Sequence, residues 1–200
     1  MRSETRVVKK VVVFFGLIAS GKSFVAKAWA EKHRFAYYNT DVIRKQLAGI
    51  KLGESCSQGI AQGIYSPAMT RRTYDALLDC AEKNLDDPAI SCVVLDGSYQ
   101  SLAERKRVCV RFAGQAQVVF VMCRCKEEIT KARLAQRALD PAAVSDGSWQ
   151  MYLHQKEVFE YPEELSDWQC RRLDTNKELN LLLVQLDQIL QHKNDGDGEI

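Results

Sequence analysis

No apolar run in this 200-residue chain approaches the ~20 residues needed to cross a bilayer. Its charged start, Met1-Arg2-Ser3-Glu4-Thr5-Arg6, leads into Lys9 and Lys10 rather than into the apolar core of a signal peptide. Both absences lead to the expectation of a cytoplasmic protein with no membrane association. Charge of one sign is scarce as well. Lys and Arg number 28 against 26 Asp and Glu, a net +2, which leaves no chain-wide basic footprint for nucleic acid, although a local basic groove stays compatible. Seven cysteines make an odd count and form no repeated CxxC pairs, which excludes a disulfide framework. Cys123 and Cys125 alternate along an apolar strand and should share a face; small buried hydrophobes are the ordinary reading, a metal or redox pair the other. His33, His154 and His192 are dispersed without metal-ligand spacing, and no Gly-x-Ser-x-Gly elbow is present.

Segments of strand character alternate with helical ones throughout, which predicts a parallel sheet with helices on both faces. Strands are expected near 10–15, 35–38, 90–95, 118–123 and 169–173. Helices are expected over 22–33 (with Phe24, Val25, Ala28 and Trp29 at helical spacing), 42–47, from Pro67, over 102–112 and 127–138, near Trp149, and along the leucine stripe after Leu179. Ser66-Pro67 is a helix-start signal, with Tyr74, Leu77, Leu78, Ala81 and Leu85 forming one face. The glycine-containing stretch 49–66 reads as a mobile excursion. No repeat or linker divides the chain. One domain is expected over 1–192, with a lid near 133–148 and a flexible tail over 193–200.

Residues 16–23 read Gly-Leu-Ile-Ala-Ser-Gly-Lys-Ser, the Walker A pattern, directly after the apolar run Val11–Phe15 and directly before a helix-forming stretch. Glycines at both ends let the loop turn its N–H groups inward, and the helix that follows adds its own unpaired N–H groups and positive dipole end. Lys22 then reaches the β- and γ-phosphates, and the Ser23 hydroxyl completes a Mg²⁺ shell. Further chemistry belongs at the carboxyl ends of the strands, where open α/β sheets bind ligands.

Two carboxylates are placed there. Asp96 ends Val93-Val94-Leu95 in the form of a Walker B strand and is expected to hold Mg²⁺ directly or through water; a turn or cap Asp before Gly97 is the alternative. Asp41 follows the second strand and can accept the proton of an acceptor hydroxyl, or serve as a helix N-cap. Arg44, three residues on, shares its helix face. Arg133 and Arg137, four apart on one helix before a Pro- and Gly-punctuated segment, suit a lid that closes on phosphates, or else a solvated basic face. Arg71-Arg72 and Arg105-Lys106-Arg107 read as solvated faces.

With Gly16–Ser23, Asn39-Thr40-Asp41-Val42-Ile43-Arg44, Tyr65-Ser66-Pro67, Val93–Asp96 and Ala132–Arg137 in this order, the chain resembles a bacterial family of predicted P-loop kinases over nearly its whole length. Relatives of that family include gluconate kinases, chloramphenicol phosphotransferases, zeta toxins and the kinase domain of phage polynucleotide kinases. The resemblance implies a three-layer P-loop fold, a five-stranded parallel sheet of the nucleoside-monophosphate-kinase kind, with ATP and Mg²⁺ as donor. Many relatives have Gly where this chain has Ala19 and Thr where it has Phe24. Ala19 narrows the angles open to the loop, and Phe24 removes a hydroxyl near the α-phosphate.

The expected site is therefore as follows. Nucleotide is bound by Gly16, Ala19, Ser20, Gly21, Lys22, Ser23, Phe24 and Arg133. Metal is held by Ser23 and Asp96, acceptor by Asp41 and Arg44, and Lys22, Asp41 and Arg137 act in the chemistry. The expected activity is transfer of the γ-phosphate of ATP to a hydroxyl of a small molecule. Two other activities fit the same residues. One is a nucleotide or polynucleotide 5′-hydroxyl kinase that uses Tyr37, Tyr38 and Tyr99 as stacking platforms; the other is an ATP-binding regulatory module without catalysis.

Overall fold

A computed structural model describes residues 8–52, 54, 62–139 and 148–191. In chain order these form β1 (Lys10–Phe15), α1 (Lys22–His33), β2 (Ala36–Asn39), α2 (Thr40–Leu47), a 3₁₀ turn (Gly63–Tyr65), α3 (Pro67–Leu85) and β3 (Cys92–Asp96). They continue as α4 (Leu102–Arg111), β4 (Gln117–Arg124), α5 (Glu127–Arg137), α6 (Trp149–Val158), β5 (Cys170–Asp174) and α7 (Leu179–Gln191). Residues 53 and 55–61 of the expected 49–66 excursion, residues 140–147 of the expected lid and the tail lie outside the described residues.

The strands form one five-stranded sheet in the order β2-β3-β1-β4-β5, every pair parallel. β1 is central and wholly buried after Lys10, which is why Val11-Val12-Val13-Phe14-Phe15 is apolar without alternation. Its pleat splits the core in two. Val11, Val13 and Phe15 pack with Tyr74, Leu77, Leu78, Ala81 and Leu85 of α3 and with Val108 of α4. Val12 and Phe14 pack with Val25, Ala26 and Trp29 of α1 and with Leu182 and Leu186 of α7. Each face thus buries one helix pair, and the predicted stripes of α3 and α7 are the faces that do it.

Two helical predictions need correction. Phe24 is exposed; the apolar face of α1 is Val25, Ala26, Trp29 and Ala30. Arg105 is not a solvated side chain. It is fully buried under Phe15, with Nε 2.6 Å from Glu164 Oε1 and Nη1 donating to the Tyr99 carbonyl at 2.9 Å. A side chain that long has no strand or helix periodicity to betray its burial.

Of the strand cysteines, Cys92 and Cys123 are buried thiols and Cys170 is half-buried. Burial pushes Cys92 up to about 12 and Cys170 up to about 11, and raises Cys123 further. Among the described residues no group of three His, Cys, Asp or Glu could hold a metal ion, and no helix is long and apolar enough to cross a membrane.

Candidate functional site

The loop after β1 is shaped by contacts that leave no room for side chains. Gly16 sits at φ 136°, and a Cβ there would meet the Cys123 carbonyl oxygen at 2.4 Å. Only glycine lets β1 leave the sheet this close to β4. Gly21, at φ 83°, is the N-cap of α1 and supplies no side-chain cap; no acidic residue stands in the helix's first turn. The N-terminal amides of α1 are therefore left for an external anion. Ala19 takes φ 56°, a left-handed angle that costs an alanine about 1–2 kcal/mol. Lys22 folds back on the loop, its Nζ donating to the Leu17 carbonyl at 3.3 Å.

Outer contacts brace this loop. Arg133 of α5 donates through Nη1 to the Ala19 carbonyl at 3.2 Å and through Nη2 to the Thr175 carbonyl at 2.8 Å. The Thr175 hydroxyl donates to the Ser20 carbonyl at 2.6 Å, and Thr175 N–H to the Arg124 carbonyl at 2.9 Å. Gln155 of α6 accepts from the Ile18 N–H at 2.8 Å through Oε1. The fork of Arg133 thus grips protein carbonyls, whereas Arg137, one turn on, lines the open cavity.

Asp96 is fully buried at the end of β3. Its Oδ2 accepts from the Tyr37 hydroxyl and from Asn39 Nδ2, both at 2.6 Å, while Oδ1 has no partner among the described residues. Burial raises this carboxyl above its ordinary range; Lys22, Tyr37, Ser23 and Asn39 oppose the rise. A buried carboxylate oxygen without a donor costs free energy unless a cation or a donor meets it. Asp96 Oδ1 with the Ser23 hydroxyl therefore fits a Mg²⁺ shell completed by water and phosphate oxygens.

Asn39, not Asp41, caps α2, its Oδ1 accepting from the N–H groups of Asp41 and Val42 at 2.9 and 3.1 Å. The Asp41 carboxylate is thereby free of capping duty and pairs with Arg44, Nη1 to Oδ1 at 3.0 Å. The Arg44 guanidinium lies over the Tyr65 ring, 5.0 Å from its centroid. Lys22, Ser23, Asp41, Arg44 and Arg137 all line one cavity of about 750 Å³. A second cleft of about 770 Å³ runs between Gly21, Phe24, Arg133 and Thr175. Phe24 walls both cavities, which accounts for its exposure.

Sequence reasoning missed Tyr37 and Asn39 as holders of Asp96, and missed Thr175, Gln155 and Glu104, the last of which lines the cavity from α4. Asn39 had a signal, an Asx residue at a strand–helix junction. Gln155 and Glu104 had none, because their place depends on how α6 and α4 pack. Of the three tyrosines expected as stacking platforms, Tyr99 is buried, whereas Tyr37 lines the cavity with its hydroxyl donated to Asp96 and Tyr38 is half-buried with its hydroxyl accepting from Asn84.

Sheet order, glycine-framed loop and cavity together define a P-loop domain of the nucleoside-monophosphate-kinase-like kind. Residues 11–162 match the AAA domain family, and the chain belongs to it. No curated protein matches the chain. Among solved structures it is similar to a gluconokinase from Sinorhizobium meliloti 1021, at 20% identity and TM-score 0.58, covering 92% of this chain and 97% of that one. It is also similar to the Mycobacterium tuberculosis APS kinase CysC in complex with AMPPNP and APS, at 19% identity and TM-score 0.61, covering 92% and 99%. A third is a shikimate kinase from Acinetobacter baumannii in complex with shikimate, at 14% identity and TM-score 0.56, covering 94% and 97%. These likenesses are likenesses of fold.

Proposed function

We propose that the chain is an ATP-dependent phosphotransferase acting on a hydroxyl group of a small molecule. The supporting observation is that the phosphate loop and the Asp41–Arg44 pair line the same cavity. Kinases of small molecules among its fold relatives agree with this. The triphosphate lies along the loop amides and the start of α1, with the Lys22 ammonium swinging from the Leu17 carbonyl to the terminal phosphates. The second cleft, walled by Phe24 and braced by Arg133, takes the nucleoside. Ser23 and Asp96 would hold Mg²⁺, which neutralises phosphate charge when bound. Tyr37 and Asn39 keep the Asp96 carboxylate turned toward that place.

The acceptor oxygen forms a bond to the γ-phosphorus while the bond from that phosphorus to the ADP oxygen breaks. The hydroxyl proton passes to Asp41, whose position is fixed by Arg44. Arg137 meets the charge on the transferring group from α5, an effect worth about 3–4 kcal/mol when such a donor is preorganised. A cytoplasmic setting, where ATP is abundant, suits this reading.

Asp41→Asn tests the assignment. Calorimetry should show Mg·ATP binding within about threefold of wild type, while turnover on a phosphorylated acceptor falls by ~10²–10⁴. Turnover equal to wild type removes Asp41 as base. Absence of any acceptor-dependent ADP formation across a metabolite pool, with ATP still bound, leaves the regulatory module instead.

A further inference from the structure

The acceptor side of the cavity holds two buried polar atoms that have no hydrogen-bond partner among the described residues. Glu104, in the first turn of α4, lines the cavity, and its Oε2 is buried without a hydrogen-bond partner among the described residues. Burial raises this carboxyl above its ordinary range, against Ser101, Arg107 and Arg44. Arg44 is 8% exposed; one Nη1 is given to Asp41, and its Nε is buried with no partner among the described residues. Arg44 and Glu104 lie in each other's field.

A buried acceptor and a buried donor left open each carry an unrecovered desolvation cost. A hydroxyl answers both, since it donates its proton to Glu104 Oε2 and offers lone pairs to Arg44 Nε. A carboxylate only accepts, and would have no proton to give to Glu104 Oε2. The charges agree. Arg44 is already paired with Asp41, so its cation is not left for an anionic acceptor. The other lining cations, Lys22, Lys27 and Arg137, belong to α1 and α5 on the phosphate side.

From this pairing of orphaned groups we infer that the acceptor is a neutral polyhydroxy compound, a polyol or sugar with adjacent hydroxyls, and not an organic acid. One hydroxyl bridges Glu104 and Arg44; its neighbour is delivered to Asp41 for transfer. The inference rests on the phosphotransferase reading and names its substrate class. In the transfer, the neighbouring hydroxyl oxygen bonds to the γ-phosphorus, ADP departs with the electron pair of the broken P–O bond, and the proton goes to Asp41.

The test compares matched pairs on the full chain with Mg·ATP: glucitol against gluconate, ribitol against ribonate, and inositol against shikimate. ADP release and product mass are measured. The neutral member of a pair should be phosphorylated with kcat/KM at least about tenfold above its acid, the worth of one satisfied hydrogen bond. Equal or better turnover of the acids overturns the substrate class and leaves phosphoryl transfer standing. No product from any member also overturns it. Calorimetry with Mg·ATP then separates the two failures, because heat of binding keeps the nucleotide reading and its absence removes both. Glu104→Gln should raise KM for the neutral acceptor about tenfold with KM for ATP unchanged; an unchanged acceptor KM removes Glu104 from the site. Should that variant fail to fold, the wild-type pairs decide alone.

Discussion

Asn39 and Asp96 stand in register across the parallel strands β2 and β3, and Asn39 Nδ2 donates to Asp96 Oδ2 at 2.6 Å. The other end of the same amide caps α2. One side chain therefore fixes both the carboxylate proposed for Mg²⁺ and the helix that carries Asp41. Asn39→Ser keeps an oxygen for the cap but cannot span to Asp96. The cap should cost little, since caps of the two residues are nearly equivalent, and the lost donor to a buried carboxylate should lower stability by about 1–3 kcal/mol. The Mg²⁺ concentration for half-maximal turnover should rise ~10–100-fold, as it does when an outer-shell partner is lost. Thermal unfolding and a Mg²⁺ titration measure the two effects separately.

Gly16 and Ala19 make opposite predictions within one loop. Gly16→Ala drives a Cβ into the Cys123 carbonyl, a backbone atom that cannot move away. Strain of about 1–2 kcal/mol and overpacking of about 1–3 kcal/mol should lower Tm by at least ~6 °C. Ala19→Gly relieves the left-handed angle but loosens the unfolded chain and removes a buried methyl. These contributions nearly cancel, and stability should change by no more than about 1 kcal/mol. Thermal melts of the two variants check both statements.

Thr175→Val keeps the shape of the side chain and deletes its hydroxyl, leaving the buried Ser20 carbonyl without the donor it now has at 2.6 Å. A loss of about 1–3 kcal/mol in stability is expected. ATP affinity should fall as well, because the same hydroxyl lies against Gly21 at the start of α1. Denaturant titration and calorimetry read the two losses.

Asp187 on α7 accepts from Lys32, Trp29 and His33 of α1. Burial alone would raise its carboxyl, but these three donors hold it below the ordinary range. A depressed carboxyl contributes stability that is present above its unfolded value of 3.8 and disappears as the pH falls through the lower folded value. Asp187→Asn should therefore melt earlier than wild type near neutral pH and converge with it in strong acid. Tm measured from pH 7 down to pH 2 follows the difference.

The sheet and most helices were legible because each rests on local signals. β1 is unbroken in its apolar run, Ser66-Pro67 opens α3, and Leu182 and Leu186 repeat at helical spacing on the buried face of α7. The glycine-framed loop was legible for the same reason. Phe24 was misplaced because helical spacing does not say which of two adjacent apolar stripes meets the sheet; in α1 it is Val25, Ala26, Trp29 and Ala30. Arg105 was misplaced because its burial depends on Glu164, far along the chain and on a different segment. Glu104, Gln155 and Thr175 depend on tertiary packing, and the braces around residues 16–21 join parts of the chain that no short-range pattern relates.

Cys92 and Cys123 lie on strands beside the phosphate loop, with thiols held protonated far above neutrality. A thiol reagent at physiological pH finds almost no thiolate there until the sheet itself parts. The chain thus carries its own chronometer of global opening: slow modification of these two sulfurs counts excursions of the central strands, and ligands that clamp the loop should slow the count.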